Sequence, residues 1–234
     1  MKKELIVLSN PKSTISEDIR TIRTNLEFSL LDESKKVILV TSSKKAEGKS
    51  FVSSNLAIAF AQNNKKVLII DCDLRLGRIN KIFGLHNKFG LSDLLLKYKN
   101  KSDIKEAIKD TKINNVHIIS RGAVPANPPE LLGSKKFEEI LEILKGTYDY
   151  IILDATPVLG LSDVIILSKL ADKITIVCKY NSTKIEELEE TKKLLSNVSD
   201  KISGVVINRV PSSRGKYGYY KGYGYYTGDE AQDE

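Results

Sequence analysis

Six short runs of β-branched and aliphatic residues punctuate the chain, at 37–40, 67–70, 116–119, 150–153, 174–177 and 204–207. Most are apolar throughout and do not alternate, which is the pattern of strands buried on both faces of a parallel sheet. Helical periodicity fills the gaps at about 49–62, 129–145, 161–170 and 183–196, with Pro128 and Pro129 near the start of the second. This alternation predicts an α/β fold: a mostly parallel central sheet with helices on both faces. Ligands of such sheets bind beyond the C-terminal strand ends, so chemistry is expected there.

Two segments stand apart from this rhythm. Residues 14–30 read as a helix, since Thr14 and Glu17 have capping-box spacing ahead of Ile15, Ile19, Ile22 and Leu26. From 211 the composition turns to glycine, tyrosine and lysine and ends in Asp229, Glu230, Asp233 and Glu234. That stretch offers no aliphatic residues to bury and predicts a pliable tail, 211–234, after a domain spanning 1–210.

A chain of 234 residues suits one domain of this kind. The longest apolar stretch, Leu56 to Ala61, falls far short of the roughly 18 residues of a membrane span, and the first residues lead into no signal-peptide core. A soluble, intracellular protein is expected. Cys72 and Cys178 lie in apolar runs as buried thiols, while His86 and His117 stand far apart without metal-ligand spacing. The formal charge of +7 comes from lysines scattered along the chain, so it reads as a solvated surface and not as a nucleic-acid footprint.

The chemistry concentrates after the first strand, where Ser43, Lys44, Lys45, Ala46, Glu47, Gly48, Lys49, Ser50 and Phe51 lead into a helix. In this context backbone N–H groups and the helix N-terminus form an anion site, Lys49 reaches the outer phosphates of ATP, and the Ser50 hydroxyl can ligate Mg²⁺. Ser43 stands where the usual phosphate-loop pattern has its first glycine. The next strand ends in Asp71 and Asp73, two carboxylates leaving on one side, and Asp154 ends the strand at 150–153. Three carboxylates beside one phosphate loop point to Mg²⁺ and phosphoryl transfer, with Ser50, Asp73 and Asp154 as metal ligands. Asp71 is the candidate for accepting or orienting the proton of the attacking group, and exchange of roles between Asp71 and Asp73 stays open.

The succession of phosphate loop, strand with Asp71 and Asp73, and strand with Asp154 resembles the Walker A, Walker A′ and Walker B motifs of the bacterial tyrosine kinases. These belong to the deviant-Walker, MinD-like P-loop superfamily that also holds the Min and Par positioning ATPases. Glu17, Arg20 and Arg23 match the kinase family's N-terminal ExxRxxR motif, and residues 122–132 resemble its proline-rich segment. The tail carries the tyrosine cluster of that family, Tyr217, Tyr219, Tyr220, Tyr223, Tyr225 and Tyr226. The resemblance implies a tyrosine autokinase of capsule or exopolysaccharide synthesis, using ATP and Mg²⁺ and phosphorylating those tyrosines in trans. It also implies that Asn208 and Arg209 contact adenine, and that Glu17, Arg20 and Arg23 build a homo-oligomeric ring. A membrane-spanning adaptor of the polysaccharide co-polymerase type and a tyrosine phosphatase are the implied partners, with no direct nucleic acid. The protein would then sit in the cytoplasm against the inner face of the membrane.

Departures from the family pattern leave rivals. Lys45 and Ala46 replace its usual proline and glycine, and Ala46 tolerates positive φ less readily than glycine. Lys44 occupies the place of the signature lysine of the Min and Par ATPases, which feeds the reading of an ATP-driven switch without kinase activity. A weakly active ATP-binding scaffold is the third reading.

Overall fold

The computed structural model describes residues 4–30 and 36–211. In chain order the elements are α1 (Ile6–Ser9), α2 (Thr14–Ser29), β1 (Val37–Ser42), α3 (Lys49–Gln62), β2 (Val67–Asp71), α4 (Ile79–Phe83), α5 (Leu91–Lys97) and α6 (Lys101–Ala107). There follow β3 (Ile108–Asp110), β4 (Val116–Ile119), α7 (Pro128–Leu132), α8 (Lys135–Lys145), β5 (Tyr150–Pro157), α9 (Asp163–Leu170), β6 (Lys173–Lys179), α10 (Ile185–Leu194) and β7 (Ile202–Asn208). The strands form one seven-stranded sheet in the order β3-β4-β2-β5-β1-β6-β7, parallel except for β3 against β4.

Successive residues of the central strands enter opposite cores, as strand geometry requires. Val37, Leu39, Leu68, Ile70, Ile151 and Leu153 pack with α5, α8 and α9, whereas Ile38, Val40, Val67, Ile69 and Ile152 pack with α2 and α3. This two-sided burial is why the strands read as unbroken apolar runs. The helix α3 is apolar nearly all round because it is itself enclosed, between the sheet and the layer formed by α1 and α2. Its one buried amide side chain, Asn55, ties that layer down: Oδ1 accepts from Val7 N–H at 3.1 Å and Nδ2 donates to Glu4 O at 2.8 Å.

All six predicted strands form, and the expected α/β architecture holds. Four details differ from the sequence reading. The helix expected over 129–145 is two helices, broken at Gly133 and Ser134, because the Ser134 hydroxyl accepts from Phe137 N–H and starts α8. The helix expected over 183–196 stops at Leu194 and continues as a 3-10 turn over Ser196–Lys201. The N-cap of α2 is Ser13, whose hydroxyl accepts from Ser16 N–H at 3.2 Å, and not Thr14. Finally, the antiparallel edge strand β3 and the short helices α4 to α6 carried no periodicity long enough to read.

The sheet order fixes the site. The strand β1, which carries the phosphate loop, lies between β5 and β6, with β2 beyond β5 and β7 beyond β6. Residues after β2 and β5 therefore reach one flank of the loop and residues after β7 the other. Among the described residues no helix is long and apolar enough to cross a membrane.

Candidate active site

The loop between β1 and α3 curls so that Gly48, with φ of +103°, becomes the N-cap of α3. A side chain there is excluded twice, by the left-handed φ and by Asn208, whose Nδ2 would lie 1.9 Å from an added Cβ. That same Nδ2 donates to Glu47 O at 2.9 Å, so β7 holds the loop from its flank. Ser43 uses its hydroxyl, which accepts from Thr191 of α10 at 2.9 Å, a contact no glycine could make. Glu47 is buried; its carboxylate accepts from Lys44 N–H at 2.9 Å and from the Thr183 hydroxyl. Lys44 turns outward to Glu187 of α10, 2.8 Å away, and the pair holds the Glu187 carboxyl below its usual range. The unglycine-like loop is thus buttressed by α10 and β7.

Ala46 adopts φ of +65° and Arg209 φ of +60°, both in the left-handed region. The doubt raised by Ala46 is physical: its Cβ crowds the following carbonyl at a cost on the order of 1 kcal/mol.

At the first turn of α3, Ser50 Oγ donates to Asp154 Oδ2 at 2.6 Å and Ser53 Oγ donates to Oδ1 at 2.9 Å. Asp154 and Lys49 are both buried, Lys49 being 8% exposed, and they attract each other. Burial still pushes the Asp154 carboxyl up to about 6, against the opposing pull of Lys49 and the two serines. Asp71, fully buried, lies under Gly77, where an added Cβ would approach its Oδ1 to 2.2 Å. Its Oδ2 accepts from Ile79 N–H at 3.0 Å while Oδ1 has no partner. Burial first, and then Asp154, hold its carboxyl well above the usual range. Asp73 Oδ1 accepts from the N–H groups of Leu76 at 2.8 Å and Arg75 at 3.3 Å, which folds residues 73–77 into a tight turn.

A cleft of about 980 Å³ opens over this constellation. Its walls include Lys44, Lys45, Ala46, Gly48, Lys49, Ser50 and Phe51 from the loop, Asp73 on one flank, and Asn208 and Arg209 on the other. Nearly all the sequence-selected residues of the nucleotide site are thereby brought together. Asp71 and Asp154 stand behind the wall and do not line the cleft. Among the described residues no three His, Cys, Asp or Glu side chains form a metal cage. A magnesium ion suits this arrangement, because Mg²⁺ takes one or two carboxylates and completes its shell with phosphate oxygens and water.

The ExxRxxR residues are divided. Glu17 pairs with Arg20 on the surface of α2, and Arg20 also donates to Pro11 O at 2.9 Å. Arg23 turns inward, its Nη1 donating to Ala59 O at 3.1 Å across to α3. The tyrosines from Tyr217 to Tyr226 lie outside the described residues. Sequence reasoning missed one pair altogether: Asp163, fully buried at the start of α9, accepts from Arg75 Nε at 3.4 Å. The two are separated by 88 residues, and no local pattern announces such a pair.

The fold and site define a P-loop nucleotide-binding protein, and residues 35–206 match the AAA domain family. A tyrosine-protein kinase of Bacillus subtilis, YwqD, is 38% identical over 94% of this chain and 92% of its own length. The putative tyrosine-protein kinase CapB of Staphylococcus aureus is 37% identical over 92% of this chain and 93% of its own. Among solved structures, the chimerical protein CapA2B2 superposes with a TM-score of 0.83 at 34% identity, covering 90% of this chain and 92% of that one. The chain belongs to the bacterial tyrosine-protein kinase family.

Two outcomes follow from the strained loop and the buried carboxylates. Ala46→Gly removes the Cβ from a left-handed position, so it should raise the urea-unfolding stability by about 1 kcal/mol. A lowered or unmoved midpoint would show that the loop carries no strain at 46. The second concerns pH. Since the Asp71 carboxyl is raised in the folded state, the folded protein keeps a proton that the unfolded chain has lost once pH exceeds about 4, and stability falls as pH rises through that window. Asp71→Asn should therefore stabilise the protein without nucleotide, in EDTA, at pH 7.5, and the gain should vanish near pH 4. Thermal melts showing no gain at pH 7.5 would contradict the raised carboxyl.

Proposed function

We propose that the chain is an ATP-dependent protein-tyrosine autokinase that phosphorylates the tail tyrosines of a neighbouring copy and so regulates capsule or exopolysaccharide synthesis. The observation that carries this reading is the joint of Lys49, Ser50 and Asp154 at the C-terminal edge of a parallel sheet, in a chain 38% identical to a tyrosine-protein kinase. Six tyrosines at 217–226, interleaved with glycine, supply the acceptors.

In this reading Lys49 neutralises the β and γ phosphates, and the N–H groups of the loop cradle them. Asn208 and Arg209 take the adenine end of the cleft. Ser50, Asp73 and Asp154, directly or through water, would hold Mg²⁺, which when bound neutralises charge on the phosphates. The acceptor Oη attacks the γ phosphorus, the bond to the β–γ bridging oxygen breaks, and ADP leaves with that electron pair. The phenolic proton needs an acceptor, and Asp73, which lines the cleft where Asp71 is enclosed, is placed for it when its contact to the metal runs through water. Asp71, enclosed below and held protonated by burial and by Asp154, then acts as a support beneath the turn that carries Asp73. The switch reading drew on Lys44, but Lys44 is committed to Glu187 of its own chain.

The partners belong to the same proposal. A ring of subunits brings each tail to the next site, and ring closure requires a repeated head-to-tail interface. Of the three motif residues, Glu17 and Arg20 are the ones free for such contacts, with side chains 64% and 25% exposed, since Arg23 braces α2 against α3. A membrane-spanning adaptor would hold the ring at the inner face of the membrane, and a tyrosine phosphatase would reset it. Full phosphorylation of one tail adds roughly 9 to 12 negative charges at about −1.5 to −2 each, enough to repel the acidic C-terminal residues and loosen the ring.

The kinase reading is tested by mixing a Lys49→Met chain carrying its tail with an active chain truncated after 211. Phosphotyrosine should appear on the Lys49→Met chain at Tyr217 to Tyr226. ATP turnover without label there would remove transfer in trans and favour the switch. For the ring, Glu17→Ala with Arg20→Ala should shift sedimentation to the monomer while leaving the thermal melt in place, and an unchanged large particle would show that the pair is only a solvated helix face.

A further inference from the structure

We infer that Arg75 is a further catalytic residue, contacting the phosphoryl group in transfer, and that the buried Asp163 is its positioning residue. The inference rests on the kinase reading above. It starts from burial: the Asp163 side chain is wholly enclosed, and Arg75, 40% exposed, is the cation paired with it. A buried carboxylate with an unpartnered oxygen is costly, and Asp163 Oδ1 has no hydrogen-bond partner. Such a group persists where the surrounding structure has a use for its orientation.

Asp163 engages only Nε of Arg75, leaving the two terminal nitrogens free of hydrogen bonds to the described residues. Arg75 is among the residues that line the cleft, as are Asp73 and Thr156. Its backbone is held at both N–H and C=O, and the turn that carries it is closed by a third bond. Arg75 N–H donates to Asp73 Oδ1, Gly77 N–H donates to Asp73 O at 2.7 Å, and Arg121 Nη1 donates to Arg75 O at 2.8 Å. A fork with a fixed base, an anchored Nε and two free N–H-bearing ends is preorganised for phosphate oxygens.

The sheet order sets which phosphate it meets. Asn208 at the end of β7 lies on one flank of the phosphate loop, and β5 and β2, which deliver Thr156 and Asp73, lie on the other. A nucleotide with its base at Asn208 runs its phosphates across the loop toward Asp73, so Arg75 stands at the γ end, where the acceptor oxygen arrives. There the charge on the three equatorial oxygens of the transferring group is greatest to the benefit of a cation placed in advance. As the Oη–phosphorus bond forms and the bond to the bridging oxygen of ADP breaks, the guanidinium neutralises that charge and itself neither gains nor loses a proton.

The experiment uses the full chain with Mg-ATP, reading phosphotyrosine formation, the affinity for a fluorescent ADP and the thermal melt. Because Arg75→Ala alone strands a buried charge and endangers the fold, the informative variants are Arg75→Ala with Asp163→Asn, and Arg75→Lys. In the double variant kcat for phosphotyrosine should fall by about 100-fold or more, with the KM for ATP and the ADP affinity within about three-fold, as for removal of a transition-state donor. Arg75→Lys, which keeps the charge but not the fork, should lose about as much. Millimolar guanidinium should restore part of the double variant's rate, and sodium chloride of equal ionic strength should not. A double variant with undiminished kcat, one whose ADP affinity drops in proportion to its rate, or one that guanidinium leaves inactive would overturn the role of Arg75 while the kinase reading stands. An unaltered chain that hydrolyses ATP without forming phosphotyrosine would overturn both.

Discussion

The contact on which the rest of the site depends is the seat of Asp154. Its two carboxylate oxygens take hydroxyl hydrogens from Ser50 and Ser53, one turn apart on α3, so the middle of β5 is riveted to the start of the helix that follows the phosphate loop. The charge is buried, and the nearby Lys49 and the two hydroxyls only partly offset the cost of removing it from water. Holding a carboxylate there raises its proton affinity and leaves a buried group that nearby positive charge would relieve. Lys49 attracts the same carboxylate, and Asp71 is pushed up by burial and then by Asp154.

A second layer of contacts explains how this loop is held with serine at 43 and alanine at 46. The Ser43 hydroxyl meets Thr191, Glu47 meets Thr183, Lys44 meets Glu187, and Asn208 caps the Glu47 carbonyl. Four contacts from α10, the loop before it and β7 replace conformational freedom with external support, which is what allows Ala46 to remain at positive φ. The same contacts join the loop to the edge strand β7, whose Val205 and Ile207 are exposed.

The two flanks of the cleft divide the work. The β7 side offers an amide and a guanidinium on a strand end, suited to a flat, neutral base. The opposite side offers Asp73 and Arg75 in the wall, with the carboxylates of Asp71, Asp154 and Asp163 enclosed behind it. Parallel strands produce this arrangement because every loop with a catalytic side chain leaves the sheet at the same edge.

Much was legible in the chain itself. The apolar runs announced six strands, five of them because burial on both faces leaves few polar positions and the sixth, β7, by its β-branched residues although much of it is exposed, and the phosphate loop with its three aspartates could be read because each follows an apolar run within a few residues. The tyrosine-rich tail was equally plain as composition. Local sequence also held the warning about Ala46, whose φ is indeed left-handed. What it could not hold were relations across the fold: that Asp71 is sealed beneath Gly77, that Arg23 turns inward to Ala59, that Lys44 is taken up by Glu187, and that Asp163 meets Arg75 across 88 residues. Strand identity depends on the environment of a short run, which hydrophobicity encodes locally; the exposure and partner of a charged side chain depend on which distant element comes to rest beside it, and only the packed sheet order decides that.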